Sequence, residues 1–235
     1  MKTLLTVVVF LCMTGCETAQ QVLSGINTGS AGLTSAEIAS GLKEALRIGT
    51  QNGAGKLASA DGFFTNAAVK ILMPEEAQKV ESTLRSIGLG SLVDKAVLSM
   101  NRAAEDAAKS ATPIFVNAIK EMTITDALGI LKGGDYAATS YFKDKTTLPL
   151  TNAFSPVIEK ALTKVNATKY WNDVFTAYNK FSAKPVNTDL VAYVTEKSLT
   201  GIFYEVGQEE LKIRKDPAAR VTDLLKKVFG SNARQ

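Results

Sequence analysis

Two clusters of polar residues in this chain have the types and spacing to do chemistry. The first is Glu209-Glu210 with Arg214. It lies in a segment whose apolar residues, Leu199, Phe203, Val206 and Ile213, recur at helical spacing. One of the two carboxylates must therefore sit near the apolar stripe. Arg214 follows Glu210 by four residues, close enough to pair with it on a helix. A carboxylate at a packed face is costly unless paired. The arrangement reads either as an interhelix ion pair or as an acid with a raised pKa in a cleft. The ion pair is the favoured reading, because structural networks produce the same pattern. The second cluster is Asp135 and Thr139, flanked by Tyr136 and Tyr141. Asp135 follows two glycines and is well placed to cap a helix. The rival reading is a polar pocket lined by the two tyrosines. Hydrolysis by carboxylates, with Glu210, Asp135 or Glu209 as candidates, would need two carboxyl groups about 5 to 9.5 Å apart in one open cleft.

What is missing narrows the chemistry further. The 235 residues include no histidine. That removes the commonest general base and the commonest metal ligand. Ser-His-Asp and Cys-His catalysis are impossible within the chain, and no zinc site can be built from cysteine and histidine. No cofactor or metal is expected. Gly53-Ala54-Gly55-Lys56 resembles part of a phosphate loop, but position 50 is threonine and Leu57 follows the lysine. The net charge is only +4, with the charges interspersed, so nucleic acid is not an expected partner.

The third reactive residue is Cys16. It closes an apolar run from Leu4 to Met13 that begins behind Lys2 and ends in Met13-Thr14-Gly15-Cys16. That layout is a secretory signal peptide with small residues at its cleavage point. A cysteine directly after them looks like the acceptor of a bacterial lipobox. The resemblance implies that residues 1–15 are removed and that Cys16 becomes the lipidated first residue. The run is about ten residues, and a bilayer span needs about 20. Palmitate-class acyl chains on Cys16 are then the membrane anchor. Two or more chains hold stably where one does not. Residue 17 is glutamate, not the aspartate that resembles an inner-membrane retention signal, which favours the outer membrane, facing the periplasm.

Residues 16–33 are polar and rich in Ser, Gly, Thr and Gln, and read as a flexible tether. The elements that must position Glu210 and Asp135 follow. Thr34 caps a helix carrying Ile38, Leu42, Leu46, Gly49, Gly53 and Leu57, with a break near Gly49 as the alternative. Pro74 opens the next and Ser91 caps a long one, which Pro113 breaks or kinks, with Ile114–Glu121 continuing as a new turn or helix. Thr123 caps Ala127–Leu131, and Asp135 caps Tyr136–Lys143. Pro149 and Pro156 predict a helix that starts late or bends within 146–164. Asn166 or Thr168 opens a segment bearing Tyr170, Trp171, Phe175 and Tyr178, aromatics that pack a core or line an apolar cavity. Asp189 opens the last long helix, stopped by Pro217, and Ala218–Phe229 adds a short one. No window alternates with period two. The expected fold is all-α, a single multi-helix domain of about eight to ten helices over residues 34–235.

Several segments together resemble one family. They are Gly41–Leu46, Pro113–Asp126, Ile130–Tyr141 and Leu211–Pro217 ahead of Val228-Phe229-Gly230. In that order they are similar to an uncharacterised family of bacterial periplasmic lipoproteins known only as a domain of unknown function, DUF4197. The resemblance implies a helical fold and a cell-envelope location, and brings no catalytic residues with it. The function expected is a lipid-anchored, non-enzymatic binding or structural module. Its partners are the membrane, through Cys16, and an envelope protein or an apolar ligand. A carboxylate hydrolase and a periplasmic carrier of an apolar ligand are the alternatives.

Overall fold

The computed structural model describes residues 33–180, 183, 185 and 188–230, without the side chains of 174 and 177. Cys16, the expected signal peptide and most of the expected tether lie outside the described residues. The described part from Thr34 onward is one all-α domain, with nine α-helices and no strand among its described residues.

The first helix, α1 (Ser35–Ala58), starts where the sequence places it. Thr34 Oγ1 accepts from Glu37 N at 3.2 Å, and Glu37 Oε2 accepts from Thr34 N at 2.8 Å. This reciprocal box satisfies two otherwise orphaned amides. The helix does not break at Gly49. Gly49 and Gly53 are both buried, and α8 (Leu190–Lys215) runs against them. A Cβ on Gly53 would meet the backbone of Glu205 and Val206 at 3.1 Å. The missing side chain is what lets the two helices approach this closely.

Between them come α2 (Gln78–Ser86), α3 (Gly90–Ala108), α4 (Ala111–Glu121), α5 (Ile124–Lys132), α6 (Ala137–Lys164) and α7 (Ala167–Asn179). A 3-10 turn, Glu75–Ala77, follows Pro74 into α2. The last helix is α9 (Asp223–Gly230), after a 3-10 turn at Pro217–Ala219. Thr123 with Asp126, and Asp189 with Ala192 N, cap α5 and α8 as expected. Ser91 does not cap α3, which begins one residue earlier. Helix α8 is the central helix of the domain, packed against both α1 and α6, while α3 packs against α6 and α9 against α1. Their shared core holds Phe63, Phe115, Phe142 and Phe154, all fully buried. The Phe115 and Phe142 rings meet edge-on at 5.2 Å.

The largest departure from the sequence reading is α6. It is one 28-residue helix that contains both Pro149 and Pro156. Each proline removes one backbone hydrogen bond, to the carbonyl four residues earlier. Those carbonyls belong to Lys145 and Asn152. All four residues lie on the exposed side of the helix, where water can take the freed carbonyls. On the opposite side Phe142, Leu150, Phe154, Ile158 and Leu162 are fully buried. Burying five such side chains at about 1.5–3 kcal/mol each outweighs two interior prolines at about 3 kcal/mol each.

Candidate functional site

Helix α8 brings three of the sequence-singled residues into one buried knot. Glu210 and Arg214 each expose 6 % of their surface, and Thr139 is buried beside them. Arg214 Nε and Nη2 donate to Glu210 Oε1 at 3.0 and 2.8 Å. The amide of Ala138 donates to Glu210 Oε1 at 2.9 Å. The amide and hydroxyl of Thr139 each donate to Oε2 at 2.8 Å. Glu210 thus caps the first turn of α6 from another helix, where two orphan amides and the helix dipole favour an anion. Arg214 does the converse for α5. Its Nη2 donates to Ile130 O at 2.8 Å and its Nη1 to Leu131 O at 3.4 Å, carbonyls in the last turn. One ion pair therefore clamps both sides of the α5–α6 turn to α8.

The other two candidates sit outside the knot. Asp135 does not cap α6, whose N-cap residue Tyr136 makes no side-chain cap bond. Asp135 Oδ2 lies 2.6 Å from Lys215 Nζ instead. Glu209 points away from Glu210, accepts from Asn52 Nδ2 at 3.1 Å and has Lys212 at 3.9 Å. The aromatics of α7 pack the helix to its neighbour. Trp171 lies 4.5 Å from Phe175 and stacks on Tyr193 of α8 at 6.3 Å, while Tyr170 stays exposed.

Among the buried polar residues not singled out from sequence, three bond to the stretch that follows α1. Glu105 Oε1 accepts from the amides of Phe63 and Phe64 at 3.1 and 3.2 Å, and its Oε2 from Arg102 at 2.6 Å. Asn101 takes both polar groups of the Ile71 backbone, at 2.9 and 2.8 Å. Glu205 accepts from Lys56 at 2.9 Å and from Asn66 at 2.7 Å. Together they hold the non-helical stretch between α1 and α2. A periodicity signal was present, because Glu205 is flanked by Ile202 and Val206, and Glu105 by Ala104 and Ala108. Each is a carboxylate on an apolar stripe.

The family model described as a protein of unknown function, DUF4197, matches residues 32–230. The chain belongs to that family. No curated protein and no solved structure matches it. In this DUF4197 domain every clamp residue, Thr139, Glu210 and Arg214, falls within the matched span. Among its described residues no helix is long and apolar enough to cross a membrane.

Open space lies elsewhere. A groove of about 690 Å³ separates residues 68–78 from α8, with Tyr193, Glu196 and Tyr204 on its α8 wall. A second, of about 550 Å³, lies across the same stretch towards α2 and α3, with Lys70, Arg85 and Asp94 at its rim. The space beside Glu210 and Arg214 holds only about 10 Å³, no more than one water could fill.

Proposed function

We propose that this chain is a lipid-anchored protein of the bacterial cell envelope. It is held at the outer membrane, facing the periplasm, through acylated Cys16. Its helical domain is a non-enzymatic binding module. The Met13-Thr14-Gly15-Cys16 pattern behind an apolar run supports the anchor. The observation that carries the binding reading is the open groove between residues 68–78 and α8, a volume in the range of ligand sites.

Hydrolysis by carboxylates draws less support from the same geometry. Glu210 accepts five hydrogen bonds, from Ala138, Thr139 and Arg214, so both oxygens are already committed. Glu209 and Asp135 each face a lysine. The space enclosed beside the clamp is also too small for an apolar cargo.

Two measurements test the proposal. Mass spectrometry of the native protein is expected to find Cys16 as a triacylated first residue, and Cys16→Ala is expected to move the protein to the soluble fraction. An unmodified amino terminus would refute the anchor. The acylated protein is also expected to recover a partner from envelope extract above an unrelated lipoprotein control. Recovery no better than that control would refute the binding reading.

A further inference from the structure

The turn between α2 and α3 leaves three large aliphatic side chains in water. Ile87, Leu89 and Leu92 expose 63, 40 and 53 % of their surface. Residues 86–93 hold no charge, although charged residues make up 21 % of the chain. Helix α2 buries none of its own residues and packs on α3. No residue from 78 to 92 is buried, so this end of the hairpin reaches away from the core. The tip is convex: Ile87, Leu89 and Leu92 line neither of the two grooves described above. Exposed aliphatic side chains gathered in this way mark a surface that meets something apolar.

The backbone of the tip is closed on itself. Gly88 holds φ at +82°, a conformation that glycine adopts without strain. Around it Ile87 N–H donates to Thr83 O at 3.2 Å, Gly88 N–H to Arg85 O at 3.2 Å and Leu89 N–H to Leu84 O at 2.8 Å. This is a Schellman closure. A turn that enters an apolar phase has to satisfy its backbone groups internally, and these three amides do so. The charges that flank the run neutralise each other. Arg85 pairs with Asp94 at 2.8 Å and with Glu81 at 2.9 Å.

We propose that this tip dips into the surface of the bilayer that carries the Cys16 anchor, and so sets which side the domain turns to the membrane. The inference rests on the anchor reading above. Seventeen residues separate Cys16 from Thr34, and fully extended they span about 60 Å at most. A domain of about 200 residues has a radius of gyration of about 16 Å, so that length lets any side of it reach the bilayer. Three aliphatic side chains on a convex turn are too few for a stable protein interface, which covers about 800 Å² per partner. They suffice at a bilayer, because the anchor already confines the domain beside it and the tip adds only a second, weak attachment. With its flanking charges paired, the tip needs no anionic lipid.

The test uses the acylated full chain in vesicles of neutral phosphatidylcholine. Ser91 is exposed at the tip, and Ser91→Cys gives a thiol there for a fluorophore. Lipid spin-labelled on its acyl chains is expected to quench that probe about twofold or more, equally at low and high salt. Ile87→Ser with Leu92→Ser changes two exposed side chains and is expected to cut the quenching about threefold or more, with the urea midpoint unmoved. Two results overturn the proposal: a Ser91 probe that the spin-labelled lipid leaves bright, or quenching that the double serine variant keeps. If the probe stays bright while the double variant no longer recovers a partner from envelope extract, the tip holds a protein and the proposal falls. Mass spectrometry of the same sample reads the acylation of Cys16 separately, so failure of the tip and failure of the anchor are told apart.

Discussion

Replacing Arg214 with methionine is the sharpest test of the clamp. The change removes two charge-assisted bonds to Glu210 and both bonds to the α5 carbonyls. It strands a carboxylate that is only 6 % exposed, with three neutral donors left. Breaking a buried pair from one side costs about 3–5 kcal/mol. A chain of this size loses about 2–4 °C in Tm per kcal/mol, so a fall of roughly 6–20 °C is expected. Removing both charges, Glu210→Leu with Arg214→Met, takes away the stranded ion. It still leaves the amides of Ala138 and Thr139 and the carbonyl of Leu131 without the partners seen here, at about 1–3 kcal/mol for each buried group, while Ile130 O keeps the Gly133 amide at 3.2 Å. The double variant is therefore less stable than the parent but more stable than the two singles predict, with a coupling of about 1–3 kcal/mol. Arg214→Lys falls between, because one ammonium cannot serve the carboxylate and two carbonyls at once. Urea unfolding at pH 7, followed by far-UV circular dichroism, measures all four. A loss under about 1 kcal/mol for Arg214→Met, or strict additivity of the pair, would refute the clamp as the element that locks the α5–α6 turn.

Four further outcomes follow from local geometry. Gly53→Ala is expected to destabilise by about 1 kcal/mol net, since overpacking against the Glu205 and Val206 backbone exceeds the gain in helix propensity. Gly129→Ala, where a Cβ meets nothing within 4 Å, is expected to stabilise by up to about 1 kcal/mol, and the same unfolding curves report both. Thr195 Oγ1 is buried without a partner among the described residues, so Thr195→Val is expected to be neutral or stabilising by about 1 kcal/mol, and a clear loss in urea midpoint would refute this. Tyr193 is expected to ionise near pH 12 in an ultraviolet titration, a step that Tyr193→Phe abolishes and Glu196→Gln moves down. Because the folded value lies above the ordinary 10, its stabilising contribution is full below pH 10 and is lost as pH rises from 10 towards 12.

Helix starts closed by a reciprocal box were legible in the sequence because such a box is a local event, whereas Ser91 and Asp135, which lack one, do not cap. Thr34 with Glu37 and Thr123 with Asp126 complete their boxes within three residues, so the letters carry the whole interaction. The course of α6 was not legible. Pro149 and Pro156 signal a break in any local reading, and what overrules them is tertiary. Both stand on the solvent side while Phe142 to Leu162 line the core. Half of the clamp was legible for the same reason. Glu210 and Arg214 meet at a spacing of four, but their other partners on α5 and α6 lie 71 to 84 residues away. Asn101, Glu105 and Glu205 act over 30 to 149 residues, which no local pattern contains.

The three buried glutamates share one task, and that bears on where function sits. Glu105 holds the amides that follow α1, Glu205 holds Lys56 and Asn66 around the same stretch, and Glu210 holds the start of α6. Each carboxylate sits where backbone leaves or enters a helix, and each is filled by donors from the chain itself. In a domain without disulfides among its described residues, such anchors set the path of irregular backbone that apolar packing alone would not specify. A buried acid here is therefore a mark of architecture. Among the described residues the carboxylates of Glu75, Glu76 and Glu196 have no ion-pair or hydrogen-bond partner, and they lie beside the stretch that Asn101, Glu105 and Glu205 immobilise. That pairing of fixed backbone with an open groove is what supports the binding reading proposed for this domain.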